Sequence, residues 1–120
     1  LLGITVPTSL GAEDFGPLGI TRSPEEQVLA LAAIGREAGL DGVVASPREI
    51  APLRRRFGSD WIIVTPGIRP EGSPRDDQVR TLTPREAAEA GADYLVVGRP
   101  ITGAPDPAEA ARAILRSLAA

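Results

Sequence analysis

Cysteine, methionine, histidine and lysine are all missing from this chain, and each absence removes a class of chemistry. Without Cys there is no disulfide framework and no thiolate metal site, which makes a reducing, cytoplasmic setting the default expectation. Without His and Lys the segment lacks the commonest general base, the imidazole metal ligand and the Schiff-base amine. All thirteen basic residues are therefore arginines, permanently protonated groups that bind and orient negative charge rather than exchange protons. No apolar run approaches the roughly 18 residues needed to cross a bilayer. A net charge of -3 lacks the basic bias of general nucleic-acid binding. Neither a membrane nor a nucleic acid is thus an expected partner. The missing methionine extends to the first position: Leu1-Leu2-Gly3 reads as the interior of a longer chain, and the first ten residues resemble a strand rather than a signal peptide.

What is present is one domain's worth of soluble globular sequence, 120 residues with 42% hydrophobic and 24% charged content. One pattern recurs four times: a capping residue, then Pro, then any residue, then Glu. The copies are Ser23-Pro24-Glu25-Glu26, Ser46-Pro47-Arg48-Glu49, Thr83-Pro84-Arg85-Glu86 and Asp106-Pro107-Ala108-Glu109. Each first residue can accept a bond from an orphan N–H, Pro lacks the donor that would go unpaired, and Glu three residues on can reach back. Apolar stripes at helical spacing come after these starts: Val28, Leu31, Ala32 and Gly35, then Ile50, Leu53 and Phe57, and last Ala111, Ile114, Leu115 and Leu118. Four short runs, 2–6, 42–45, 61–65 and 94–97, are apolar on both faces, as strands buried under helices should be. A short helical turn is expected at 12–15 within an otherwise irregular stretch from Thr8 to Arg22.

Even alternation of strand and helix predicts an α/β fold with a parallel sheet and right-handed crossovers. Four units fit an open doubly wound sheet, but the Gly-x-Gly-x-x-Gly fingerprint is absent after the first strand. They fit better as (β/α)4, half of a TIM (β/α)8 barrel, whose phosphate sites lie in the loops after the last two strands. The two corresponding loops here carry arginine. One runs from Val64-Thr65-Pro66-Gly67-Ile68-Arg69-Pro70 to Asp77-Gln78, and the other is Val97-Gly98-Arg99-Pro100. Arg69 can fork two N–H groups onto an oxyanion, Gln78 can donate and accept, and the glycines allow close backbone approach. The two strand ends read as two sides of one anion pocket.

These residues carry a family resemblance. Ile4-Thr5-Val6 with Thr8-Ser9, Leu40-Asp41-Gly42-Val43-Val44, Thr65-Pro66-Gly67-Ile68-Arg69-Pro70 with Gln78 nine positions past the Arg, Thr83-Pro84, and Ala92-Asp93-Tyr94 through Thr102 together resemble the bacterial-type orotidine 5'-phosphate decarboxylases. Their order matches the C-terminal half of that barrel, making residues 1–120 a single segment of four βα units. Gly98-Arg99-Pro100 is shared with related sugar-phosphate barrels, whereas Arg69 with Gln78 is the more specific feature. The resemblance implies an enzyme that decarboxylates orotidine monophosphate (OMP) to UMP without metal or organic cofactor. It also implies that Thr8 and Ser9 contact the pyrimidine, that Arg69, Gln78, Gly98 and Arg99 hold the phosphate and nearby polar atoms, and that residues 71–77 close over the ligand.

One departure outweighs the matches, because the family's catalytic Asp-Lys-x-x-Asp cluster is missing and there is no Lys at all. No catalytic residue is expected here, and the segment alone should be inactive. The resemblance further implies that the full-length enzyme is a homodimer, and a half-barrel with open edges should self-associate or pair with its N-terminal half. A sugar-phosphate lyase or synthase of the same superfamily and a non-catalytic nucleotide-binding half-barrel are the rivals. Four plainer readings complete the expectations. Arg54-Arg55-Arg56 suits a helix C-terminus, Asp76-Asp77 reads as solvated rather than a metal pair, Ser9 lacks the partners of a nucleophile, and Trp61 and Tyr94 should pack at the barrel floor.

Overall fold

The computed structural model describes residues 1–120 and contains one parallel sheet of four strands in sequential order. The strands are β1 (Leu2–Ile4), β2 (Gly42–Val44), β3 (Ile62–Thr65) and β4 (Tyr94–Leu95). The helices are α1 (Ala12–Phe15), α2 (Pro24–Glu37), α3 (Ile50–Phe57), α4 (Pro84–Ala90), α5 (Arg99–Thr102) and α6 (Pro107–Ala119), with a 3-10 turn at Pro47–Glu49 before α3. Neighbouring, parallel, in-order strands joined through helices give the expected α/β fold, and the strands are shorter than the sequence runs suggest. No helix is long and apolar enough to cross a membrane.

Capping explains where the helices begin, though only two of the four boxes close. Ser23 accepts from the Glu26 N–H while Glu26 accepts from the Ser23 N–H at 2.8 Å, and Thr83 with Glu86 repeats the arrangement. Those backbone N–H bonds hold both glutamates below the usual carboxylate range. Their contribution to stability is complete above the ordinary glutamate pKa and is lost as pH falls through the lowered values. Asp106 accepts from the Glu109 N–H, but the Glu109 carboxylate turns to Arg112 and Arg116 instead of reaching back. At Ser46 the hydroxyl accepts from the Arg48 N–H, and Glu49 leaves the cap altogether for a buried partner, Arg80.

Registered partners across parallel strands share a face, and the two faces of this sheet differ sharply. Val43 and Ile63 lie side by side and are buried with Val28 and Ala32 of α2, Ile50 and Leu53 of α3 and Ala87 of α4. The opposite face presents the row Ile4, Val44, Val64 and Tyr94. Ile4 is 68% and Tyr94 62% exposed, and Val96 and Leu2 are exposed too. The expectation of burial on both faces is therefore corrected: helices cover one face only, and the uncovered side chains are those a barrel would turn inward. Tyr94 belongs to that bare row and does not pack at the floor. Trp61 does pack there, its ring N–H donating to the Leu40 carbonyl at 2.7 Å. In α6 only Ile114 is buried, and Leu115 points to solvent.

The Arg54-Arg55-Arg56 run does end a helix, but its first member does more than complement a dipole. The Arg54 guanidinium donates to the carbonyls of Gly58, Trp61 and Gly91 and pairs with Asp93 at 2.6 Å, while Asp93 also accepts from the Ile63 N–H. It thereby clips the entry of β3 to that of β4.

Candidate substrate-binding site

Every sequence-predicted site residue lies beyond the C-terminal end of a strand, the rim where open and closed parallel α/β sheets hold ligands. The chain leaves β3 through Gly67, which adopts φ +75°, and returns at Leu82. The return is sealed by a bridge between Ile68 and Leu82 and by the Arg69 N–H donating to the Leu82 carbonyl at 3.0 Å. Residues 69–81 thus form a loop fastened at its stem. Inside it, the Ser73 N–H bonds the Pro70 carbonyl and the Gln78 N–H bonds the Arg75 carbonyl.

Contacts run across this rim without a break. The Thr8 hydroxyl, after β1, donates to Gln78 Oε1. Gln78 Nε2 donates to Asp77 Oδ1 at 3.4 Å, and the same carboxylate takes a charge-assisted bond from Arg99 Nη2, after β4. Arg99 Nε lies 3.5 Å from Asp76 Oδ2, and Arg69 Nη2 lies 3.8 Å from that same oxygen. Thr8, Gln78, Arg99 and Arg69 are therefore linked through Asp76 and Asp77. The Asp76-Asp77 pair, read from sequence as solvated, is exposed and in addition faces the two arginines. Asp76 alone among the non-glycine residues has a positive φ, +53°, a conformation that costs energy and is held here between two cations. The bond from Arg99, with a further one from Gln78, keeps the Asp77 carboxyl below its ordinary range, and the same bond raises Arg99.

The two arginines differ in setting. Arg69 is 8% exposed, donates to the Ile68 carbonyl at 2.9 Å and keeps its Nε buried without a partner. It lines a cleft of about 330 Å³ with Arg48, Arg75 and Thr83, whereas Arg99 lines a separate cleft of about 450 Å³ with Asp76 and Pro100. The single anion pocket expected from the two strand ends is thus two clefts, because the Asp76 carboxylate stands between the arginines and joins them. Gly98 precedes α5 with open space where a Cβ would stand. Ser9 is exposed next to Thr8 and takes no part in the connected set.

Sequence reading missed the buried pair beneath this rim. Arg80 Nη1 meets Glu49 Oε1 at 2.7 Å, and Arg80 Nη2 donates to the carbonyls of Val6 and Pro7, each at 3.0 Å. Glu49 is 4% and Arg80 5% exposed. Glu49 was hidden by its resemblance to a cap. The one available signal was Arg80 itself, a charge two residues past Gln78 in a stretch that returns toward the core.

A parallel α/β sheet with one face bare and an arginine-bearing loop cluster at its C-terminal rim defines the class, half of an α/β barrel. Comparison with known proteins supplies the particular family. Residues 1–114 match the model of the orotidine 5'-phosphate decarboxylase / HUMPS family, and the chain belongs to that family. It is 55% identical over 119 residues to an orotidine 5'-phosphate decarboxylase from Gluconobacter oxydans, covering 99% of this chain and 50% of that protein. A Moorella thermoacetica protein of the same name is 58% identical, covering 95% of this chain and 46% of its own length. A solved orotidine 5'-phosphate decarboxylase from Lactobacillus acidophilus superposes with a TM-score of 0.80 at 39% identity, over 100% of this chain and 49% of that one. The chain spans about half the length of the relatives it matches.

Proposed function

We propose that this chain is the C-terminal, substrate-gripping half of an orotidine 5'-phosphate decarboxylase, the enzyme that takes carbon dioxide from OMP to leave UMP in pyrimidine synthesis. The observation that carries the reading is the unbroken set of contacts from Thr8 through Gln78 and Asp77 to Arg99, and through Asp76 to Arg69. In this reading Arg99 and Arg69 take the phosphate, with Gly98 allowing close backbone approach. Gln78, which can donate and accept, stands between phosphate and base. Thr8 and Ser9 address the pyrimidine. Straining the substrate's carboxylate and delivering the proton that replaces it at C6 fall to the family's Asp-Lys-x-x-Asp cluster on the other half of the barrel. Contacts to the non-reacting phosphate still serve the rate, because they can be used to close a loop and organise the reacting end.

The bare sheet face supports the same view. The row Ile4, Val44, Val64 and Tyr94 is the inner wall that four further strands would cover, and β1 and β4 leave two edges for them to pair with. We assign the complete enzyme to the bacterial cytoplasm as a homodimer. The test is reconstitution. Mixing this chain with the N-terminal half of a relative should yield an eight-stranded assembly that binds UMP and releases carbon dioxide from OMP, with neither half active alone. An assembly that forms but binds no UMP would remove the reading.

The carboxylates at the rim give a second expectation. Asp76 and Asp77 pair with the groups that a phosphate would need. Changing both to asparagine should tighten UMP binding to the complete protein roughly threefold or more, a modest gain because exposed ion pairs are individually weak. Calorimetric titration of the double variant beside the parent measures it, and weaker binding would mean that the carboxylates assist the ligand rather than compete with it.

A further inference from the structure

We propose that Arg80, aimed by Glu49, is a positioning residue that sets Thr8 against Gln78 and so fixes the base-recognition side of the site. The proposal rests on reading Thr8 and Gln78 as ligand contacts and assigns a role to two residues that touch no ligand themselves. Three consecutive carbonyls at the exit of β1 are held from one place. Those of Val6 and Pro7 accept from Arg80 Nη2 at 3.0 Å, and that of Thr8 accepts from the backbone N–H groups of Val79 and Arg80 at 3.1 and 3.4 Å. The Arg80 carbonyl in turn accepts from the Ser46 hydroxyl at 3.4 Å, after β2. Residue 80 therefore ties the exits of β1 and β2 to the returning arm of the loop that comes after β3.

The chemistry of the pair suits direction better than adhesion. A guanidinium is a planar fork, so one nitrogen can engage Glu49 while the other spans two carbonyls, a task beyond the point charge of an ammonium. A buried ion pair is on average no more stabilising than apolar side chains of similar volume. This one also leaves Glu49 Oε2 and Arg80 Nε without partners, so it is not saturated as a purely stabilising network would be. With its charge matched by Glu49 beneath the rim, Arg80 is no phosphate ligand.

An independent feature converges on the same point. Gly67 sits at φ +75°, and a Cβ there would lie 3.1 Å from the Arg80 carbonyl oxygen, 3.3 Å from Gln78 Oε1 and 3.3 Å from the Thr8 methyl carbon. The three groups that the clamp aligns are packed around the one residue type that leaves room for them.

The experiment compares two ligands on the complete protein. Inorganic phosphate probes the arginine side alone, and UMP probes phosphate and base together. In Arg80→Lys, which keeps the charge but not the fork, UMP binding should weaken at least about tenfold while phosphate affinity stays within about twofold. Glu49→Gln, nearly isosteric, should weaken UMP binding by less, again with phosphate affinity within about twofold, and it provides the comparison if the lysine variant fails to fold. Circular dichroism fixes a temperature at which each variant is fully folded. Equal losses for UMP and phosphate, or an unchanged UMP preference in both folded variants, would overturn the positioning role. A parent protein that binds UMP no better than phosphate would instead strike the underlying reading of Thr8 and Gln78, and this proposal with it.

Discussion

Arg99→Ala in the complete protein will weaken UMP binding by roughly 10- to 100-fold, the loss expected for one or two charge-assisted bonds to a phosphate. The side chain is about half exposed and borrows its present partners, Asp76 and Asp77, from a loop rather than from the core. Solvent screening therefore keeps the effect below what a buried arginine would give. Stability should barely change, since nothing buried depends on this group. The matched control is Arg55→Ala, an exposed arginine on α3 that lies outside the connected set. The measurement is calorimetric titration with UMP, accompanied by the ratio of kcat/KM values on OMP. Because phosphate contacts persist into the transition state, kcat/KM should fall at least as far as affinity. Retention of parental affinity in Arg99→Ala would sink the assignment of the phosphate side.

The second large effect concerns the scaffold. Gly42 opens β2 directly opposite Ile62, and a Cβ built on it would stand 2.2 Å from the Ile62 carbonyl oxygen and 2.7 Å from the Ile62 Cβ. No real contact is that short, and the obstacle is backbone, which cannot swing aside like the end of a long side chain. Gly42→Ala must push β2 and β3 apart at the centre of the sheet. The cost should reach about 1 to 3 kcal/mol, the range for overpacked interiors, and the damage should spread to the rim because β3 leads to the loop of Arg69 and Gln78 and β2 to Ser46 and Glu49, which hold Arg80 beneath it. Urea unfolding beside Gly16→Ala decides the matter. Gly16 has an ordinary helical φ of -55° and open space around its Cβ direction, so alanine there should be neutral within about 0.5 kcal/mol. Equal midpoints for the two variants would contradict the register of β2 on β3.

Much of this architecture was legible in the residues. Alternation of apolar runs with Pro-bearing helix starts encodes a parallel sheet, because capping and periodicity are local and act within a few residues. Arg69, Gln78 and Arg99 were legible as a group from their places after the last two strands, and Thr8 only through the family resemblance, since its bond to Gln78 joins positions 70 residues apart. What sequence did not carry is which of two chemically suitable partners a side chain chooses. Glu49 has the spacing of a cap and goes to Arg80, and Glu109 has it too and goes to Arg116. Tyr94 and Ile4 look like core residues and are bare. A strand's apolar character registers that something covers it, without registering whether the cover lies within the same 120 residues.

The narrowness of the last junction in the sheet has a consequence for ligand capture. β4 is joined to β3 over only two registered pairs, Val64 with Tyr94 and Thr65 with Leu95, and Arg99 opens α5 a few residues beyond β4. Fraying of that seam withdraws a guanidinium from the rim, and a phosphate gripping Arg99 opposes the fraying by mass action. Amide exchange at Val96, whose N–H bonds the Thr65 carbonyl at 2.9 Å, therefore reads the same equilibrium from the sheet side that nucleotide affinity reads from solution.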